Sequence, residues 1–252
     1  MILLREIRHR SEKGTTVRQL FFAILFVGLF VGVTTGQSNR PWTEWPKADA
    51  ERILKDSPWS QTQVETDTSE MTYTPTAPGR NLGDRNQAGA KNQALFVSYH
   101  IRLLSAKPVR QAFGRIIVLS QEKPNPQLVE RLQDFIDRDF GDFVVIAVTF
   151  EGVDRRLSGP AMQSFNSATS ETLKNKTYLE LKNGKRLFLK EYISDQSDGL
   201  GAKFIFLRAS EGRAFITKDD GSVRFYSEIS GNIKLNVTYK ISEMLYDGKF
   251  EY

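Results

Sequence analysis

Cysteine is absent from the chain of 252 residues, and histidine occurs only at positions 9 and 100. The lack of cysteine excludes disulfide bonds, thiolate catalysis, a cysteine zinc site and a lipid anchor on cysteine. With so few imidazoles, a zinc site built from histidines is excluded too. His100 lies in a predicted strand, where a lone histidine is more often structural than catalytic. No cofactor is therefore expected.

The motifs of common enzyme classes are also missing. No Gly-x-Ser-x-Gly elbow of a serine hydrolase occurs. Neither Gly184-Lys185 nor Gly248-Lys249 is followed by Ser or Thr, as a phosphate-binding loop requires. Gly199-Leu200-Gly201 has no predicted helix after it, so we interpret it as a turn rather than part of a dinucleotide site.

Positive charge is concentrated at the amino terminus. The chain has 35 Lys and Arg against 30 Asp and Glu, and residues 1–36 hold five of these bases and two of these acids. The remaining residues, 37–252, therefore carry 30 bases and 28 acids and are almost neutral. A nucleic-acid-binding protein needs a concentrated basic surface, so no nucleic acid partner is predicted.

Long apolar runs are rare, with one exception near the start. Residues 20–33 are fourteen consecutive apolar residues or glycines behind a basic segment, and Thr34 and Gly36 suit positions −3 and −1 of a cleavage site. The run is too short to span a bilayer and lacks the polar face of a core helix. Residues 1–36 are therefore predicted to be a signal peptide that sends the protein to the periplasm or outside the cell. If the segment is not cleaved, residues 20–33 tether the protein to a membrane, which is its only expected membrane contact.

Two segments follow the predicted signal. Residues 37–59 contain all three tryptophans, Trp42, Trp45 and Trp59, around one short predicted helix between Pro46 and Pro58. Residues 60–93 are rich in Thr, Gln, Asn, Gly and Pro without apolar periodicity, which predicts a flexible linker.

Residues 94–252 are predicted to form one α+β domain, with two or three helices packed on one face of a mainly antiparallel sheet. Strands are predicted at 94–104 and 143–150, and the second is apolar throughout and thus central. Residues 107–121 suggest a helix that runs into a strand, and Asn125 caps a clear helix that ends before Gly141. A third helix extends from 158–160 to about 173. Alternating apolar residues then predict a hairpin around Asn183-Gly184 and strands at 203–208, 222–229 and 232–242.

Three landmarks carry a resemblance. The PWTEWPKADAERILKDSPW block, the SAKPVRQA segment and the YKISEMLYDGKFEY terminus resemble those of a family of uncharacterised exported bacterial proteins. The resemblance covers both ends of the predicted mature chain and part of its middle. It implies a bacterial envelope or secreted location and carries no activity and no functional residue.

Clustered carboxylates suggest two chemical hypotheses. Asp137, Asp139 and Asp142 gather at the end of a predicted helix, where calcium is one interpretation and ordinary solvation beside Arg138 is another. Acid pairs at Glu151 with Asp154, or Asp195 with Asp198, would suit a hydrolase of envelope polymers if they faced each other across a cleft.

The tryptophan block is the strongest functional feature in the sequence. Tryptophan is enriched at the centres of interfaces, so Trp42, Trp45 and Trp59 are candidate docking residues for an envelope protein. Alternatively, the block folds back and completes the core of its own domain. We therefore expect a non-catalytic exported protein-interaction module, with the hydrolase or a carrier of small apolar ligands as alternatives.

Overall fold

The structure of the chain is a computed structural model, which describes residues 40–67, 95–152, 155–194 and 198–252. The residues from Arg40 to Tyr252 form one compact unit. The predicted signal peptide and residues 68–93 of the predicted linker lie outside the described residues.

Helices are concentrated in the first two thirds of the described chain. The α-helices are α1 (Lys47–Lys55), α2 (Lys107–Leu119), α3 (Pro126–Asp137), α4 (Arg155–Ser167) and α5 (Ser170–Leu173). Short 3₁₀ turns cover Trp42–Glu44, Lys218–Asp220 and Ile241–Glu243.

Strands occur throughout the described chain. They are β1 (Ser60–Asp67), β2 (Leu95–Leu103), β3 (Phe143–Gly152), β4 (Thr177–Leu181), β5 (Arg186–Phe188), β6 (Glu191–Ile193), β7 (Ala202–Leu207), β8 (Ala209–Ser210), β9 (Arg213–Ala214), β10 (Ser222–Glu228), β11 (Lys234–Lys240), β12 (Leu245–Tyr246) and β13 (Lys249–Phe250).

Most of these strands belong to two antiparallel sheets. The five-stranded sheet has the order β1-β2-β3-β7-β6 and the four-stranded sheet the order β11-β10-β4-β5, while β8-β9 and β12-β13 are small separate ribbons. The predicted α+β class with a mainly antiparallel sheet is confirmed. Apolar alternation explains the four-stranded sheet, because Leu179, Phe225 and Leu235 point inward from three neighbouring strands and are at most 1% exposed.

The two sheets pack face to face and are linked at both sides. On one side, residues 186–193 run from β5 in one sheet into β6 in the other. On the opposite side, the Gln63 side chain in β1 donates to the carbonyl of Lys234 (2.7 Å) and accepts from the amide of Asn236 (2.8 Å). Gln63 thus replaces a neighbouring strand for part of the exposed edge of β11.

The helices lie mainly against the five-stranded sheet. Phe113 of α2 and Phe135 of α3 pack on Leu104, Val145 and Ala147 on its outer face. On its inner face, the ring of Phe165 in α4 stacks on Phe150 at 5.3 Å between centroids. Within the described residues, the main helix–sheet contacts all involve this sheet, and the outer face of the four-stranded sheet carries partly or fully exposed side chains.

The tryptophans are part of this core. Trp42, Trp45 and Trp59 are each 5% exposed. The indole of Trp42 donates to Gln133 Oε1 of α3 (2.8 Å), and that of Trp59 donates to the carbonyl of Glu251 (2.7 Å). Of the two interpretations of the block, these contacts agree with the one in which it completes the core of its own domain. Their buried rings leave little surface for docking another protein.

Residues 60–67 correct the predicted start of the flexible linker. They form β1, which pairs with β2 along its whole length from Ser60↔Arg102 to Asp67↔Leu95. Apolar periodicity does not reveal this strand, because it lies at a sheet edge and its side chains are mostly polar. Its backbone hydrogen bonds to β2 and the Gln63 bridge hold it in place instead.

Two helix predictions also change in detail. The strand predicted at the end of residues 107–121 is wrong, since α2 continues as one helix through Ile116, Ile117 and Val118 to Leu119. Its apolar face packs on the core, and burial outweighs the strand preference of β-branched residues. The third helix starts at Arg155 rather than at 158–160, so Pro160 lies inside α4. The predicted caps at Asn125 and turn at Gly184 are confirmed.

Substitution of Trp59 is expected to destabilise the whole domain. Trp59→Ala removes a buried ring, its hydrogen bond to Glu251 and its edge-on contact with Tyr246 at 6.2 Å. The free energy of unfolding in urea should fall by about 3–5 kcal/mol. Val64→Ala, at a side chain that is 56% exposed, is the control and should change it by less than about 0.5 kcal/mol. A loss below about 1 kcal/mol for Trp59→Ala would contradict the burial of this block.

Two nearby glycines provide a matched test of the sheet packing. Gly201 has φ +91°, and a Cβ there would lie 2.2 Å from the carbonyl oxygen of Val148, whereas Gly199 has φ +74° and open space around it. Gly199→Ala should cost about 1–2 kcal/mol from backbone strain alone. Gly201→Ala should lower the free energy of unfolding by clearly more, because β3 must move away from the start of β7, which follows Gly201 directly. Equal losses in thermal unfolding would show that the close approach does not exist.

Candidate functional site

The outer face of the five-stranded sheet carries a polar cluster around His100. Thr62, His100 and Thr149 lie directly opposite one another on β1, β2 and β3. His100 is 6% exposed, with Nδ1 3.0 Å from Thr62 Oγ1 and Nε2 3.0 Å from Glu151 Oε1. A hydroxyl, an imidazole and a carboxylate in a chain are the residue types of a catalytic triad.

The contacts of this cluster favour a structural role. The hydroxyl of Thr62 also lies 2.9 Å from the carbonyl oxygen of Lys55, so that carbonyl and Nδ1 of His100 compete for its single proton. Burial lowers the pKa of His100, and the bond to Glu151 offsets part of that shift. The same bond lowers the pKa of the Glu151 carboxyl. The result is a neutral imidazole and a carboxylate that tie three strands together, which favours the structural interpretation of His100.

Arg102 occupies the next position on the same face and connects the sheet to the helices. It is 6% exposed, donates from Nε to the carbonyl of Leu54 (2.7 Å) and from Nη1 to Thr149 (2.7 Å), and stacks over Phe113. Burial lowers its pKa to about 10, so the guanidinium stays charged at neutral pH. The charged group thus forms its hydrogen bonds within the protein, and these bonds hold α1 on the sheet.

The calcium interpretation of Asp137, Asp139 and Asp142 is not supported. Asp137 accepts from Lys107 Nζ (2.7 Å), which lowers the pKa of its carboxyl, and Asp139 accepts from the amide of Gly141 (2.8 Å). In the described ranges, no three His, Cys, Asp or Glu residues are grouped closely enough to hold a metal ion. Asp137 and Asp139 are engaged in helix-end and loop contacts instead.

A polar cleft of about 640 Å³ lies at the same place, between the end of α3, the start of α2 and the last residues of the chain. Arg110 in its wall donates to the carbonyls of Leu104, Ser105, Ile136 and Arg138. The buried guanidinium of Arg110 is therefore satisfied by main-chain carbonyls and is not directed at a ligand.

Each of the two predicted carboxylate pairs has one member outside the described residues, and the other member is engaged elsewhere. Asp154 and Asp195 lie outside the described residues, Glu151 binds His100, and Asp198 is ion-paired with Lys203 at 2.7 Å.

The outer face of the four-stranded sheet carries an aromatic row. Phe188, Tyr178 and Tyr226 lie opposite one another on β5, β4 and β10. The rings of Tyr178 and Tyr226 stack with centroids 5.2 Å apart, and Phe188 meets Tyr178 edge-on at 5.8 Å. Phe188 is 48% exposed and is the most exposed ring of the row, since Tyr178 and Tyr226 are partly buried.

Charged rows flank the aromatic row on both sides. In one, Glu180 is paired with both Arg186 and Arg224, and its distance to Arg224 Nη2 is 2.7 Å. In the other, Glu228 is paired with Lys176 at 3.3 Å and Lys234 at 3.8 Å. We call these three rows together the aromatic–cation face; its members are Lys176, Tyr178, Glu180, Arg186, Phe188, Arg224, Tyr226, Glu228 and Lys234.

The sequence indicates this face only partly. Alternation in 232–242 places Lys234, Asn236, Thr238 and Lys240 in water, as observed. Alternation does not give the strand register. The register of β10 with β4 is what places Tyr226 beside Tyr178 and Arg224 beside Glu180. The signal that points to the face is an aromatic residue beside charged residues in each of three strands, β4, β5 and β10, which are neighbours in the sheet.

Comparison with protein-family models, curated proteins and solved structures finds no match to this chain. Among the residues that the structure describes, no helix combines the length and apolar character needed to cross a bilayer.

The His100 cluster predicts a pH dependence of stability. Because burial lowers the pKa of His100 below its ordinary 6.5, the unfolded chain takes up this proton at a higher pH than the folded chain. The free energy of unfolding should be constant above the unfolded pKa and fall as the pH drops through and below it. Lys55, Arg102 and Glu151 are the charged groups that influence this imidazole.

Urea unfolding of the full chain at pH values from about 7.5 to 5.0 measures this effect. His100→Gln is the control, because it keeps polar contacts but cannot titrate, and its His9 background is identical. The variant should show a flatter profile over this range. Identical slopes for both proteins would contradict a buried neutral His100.

Proposed function

We propose that the chain is a non-catalytic, exported protein-interaction module that binds an envelope protein through its aromatic–cation face. The observation that carries the proposal is an aromatic row, with Phe188 exposed and Tyr178 and Tyr226 partly exposed, on the outer face of the four-stranded sheet. A row with two arginines flanks it on one side and a row with two lysines on the other. Tyrosine and arginine are the residue types that dominate binding energy at protein interfaces, where they cluster near the centre.

The geometry supports recognition better than catalysis. The imidazole of His100 and the guanidinium groups of Arg102 and Arg110 are committed to bonds within the protein. On the aromatic–cation face, by contrast, the side chains of Arg186, Lys176 and Lys234 are 45–57% exposed. Groups that bind a partner need this accessibility.

Preorganisation is a second support. Arg186 lies over the ring of Tyr178 at 4.3 Å, and Arg224 is held by Glu180 while 5.8 Å from the rings of Tyr178 and Tyr226. Side chains that are already restrained lose less conformational entropy when a partner binds.

The export part of the proposal rests on residues 1–36, whose basic start and apolar core at 20–33 are typical of secretory signals. The partner then belongs to the periplasm or outer envelope, and the domain relies on its packed core because it contains no cysteine.

Partner capture tests the proposal with matched variants. Phe188→Ala/Tyr226→Ala removes two rings of the row, and Met162→Ala/Val64→Ala removes two side chains that are 52% and 56% exposed elsewhere. Full-chain proteins carrying a photocrosslinker would be incubated with envelope extract. The first variant should retain at least about tenfold less of the partner, as expected for loss of interface hot spots. The control should retain it like the parent.

Equal capture by both double variants would reject this face as the binding site. Native near-ultraviolet circular dichroism of each variant would establish that any loss is not due to unfolding.

A further inference from the structure

We infer that the aromatic–cation face recognises an extended acidic segment with acids at positions i and i+4 and an aromatic or large apolar residue at i+2. This inference rests on the proposed function and specifies the chemistry of the partner. It follows from the charge, exposure and spacing of the three rows.

The charge presented to a partner is positive. Each charged row holds one carboxylate and two cations. The carboxylates also lie deeper: the side chains of Glu180 and Glu228 are 18% and 27% exposed. The four cations are 33–57% exposed, so each row shows its surplus positive charge outward.

Hydrogen bonding favours the charged form of the Glu180 carboxyl. The bond from Arg186 lowers the pKa of the Glu180 carboxyl, with Arg224 acting in the same direction. Each acid is ion-paired with two cations on neighbouring strands, and an additional carboxylate from a partner can approach the exposed side of those cations.

The aromatic row separates the two cationic rows. Arg224, Tyr226 and Glu228 occupy alternate positions of β10, so one row follows the next every two residues along the strands. This corresponds to about 6.8 Å between rows. The ring of Phe188, 48% exposed, provides an apolar surface in the middle.

An extended peptide has the same repeat. Its side chains on one face recur every two residues, also about 6.8 Å apart. A segment lying along the strands would place an acid on the Arg186–Arg224 row, an apolar side chain on the aromatic row and a second acid on the Lys176–Lys234 row. A bound segment of this kind needs no deep pocket.

Synthetic peptides test the pattern directly. The probe is the acetylated and amidated heptapeptide SESYSES, compared with SEEYSSS of equal composition and charge and with the cationic SKSYSKS. Two-dimensional NMR of the full chain measures affinity from shift changes. SESYSES should perturb residues of the aromatic–cation face and bind at least about fivefold more tightly than SEEYSSS, while SKSYSKS should not bind.

Variants locate the binding. Arg224→Gln/Lys234→Gln should weaken SESYSES about fivefold and reduce its dependence on salt. Lys47→Gln/Lys174→Gln has the same net charge, removes two ion-paired exposed lysines elsewhere, and should bind like the parent.

Equal binding of SESYSES and SEEYSSS, or insensitivity to Arg224→Gln/Lys234→Gln, would overturn the inference. If the peptides do not bind while envelope capture still depends on Phe188 and Tyr226, the face is correct and the acidic segment is wrong. If both experiments are insensitive to the face, the proposed function fails as well.

Discussion

The fold depends on the burial of three tryptophans, one of which, Trp59, joins the two ends of the described chain. Trp59 donates to the carbonyl of Glu251, and the carboxylate of Glu251 in turn accepts from the amide of Lys107 at the start of α2 (2.8 Å). That helix begins after Ala106, which has no side chain able to cap it. A residue near the end of the sequence therefore satisfies a free backbone amide of a helix that starts far earlier. The tryptophan block, α2 and the last residues thus stabilise one another.

The packing of the tryptophan block against α2 and the last residues determines which surfaces remain exposed to solvent. One side of the five-stranded sheet is covered by α1, α2 and α3, and its other side meets α4 and the four-stranded sheet in the core. Gln63 bridges the edges of the two sheets, and Ser170 of α5 contacts the main chain of Tyr192 at the other edge (2.9 Å). Within the described residues, the outer face of the four-stranded sheet is the broad surface left to solvent. The concentration of tyrosine, phenylalanine and arginine there is what links the fold to the proposed function.

Much of this architecture is predictable from sequence, because alternation and apolar runs report burial. The strands near 143, 203, 222 and 234, the helix capped by Asn125 and the turn at Gly184 follow from those patterns. The missed elements have other causes. β1 is polar and is held by backbone pairing, whereas the end of α2 is rich in strand-forming residues that are buried by tertiary contacts. Neither effect is visible in local sequence.

The candidate site is less predictable for a related reason. Its residues are ordinary surface types taken singly, and only the register of β4, β5 and β10 combines them into rows. The tryptophans attract attention in the sequence because of their rarity, yet their rings are needed inside the protein. Rarity alone does not distinguish a core anchor from an interface residue.

The central claim is that the tryptophan block is part of the core, which leaves the four-stranded sheet to bind a partner. Tryptophan fluorescence measures it directly, because Trp42, Trp45 and Trp59 are the only sources of that signal. The account predicts blue-shifted emission and weak quenching by acrylamide in the native protein, with strong quenching after unfolding in urea. Native emission at the wavelength of free tryptophan, quenched as readily as in the unfolded chain, would contradict it.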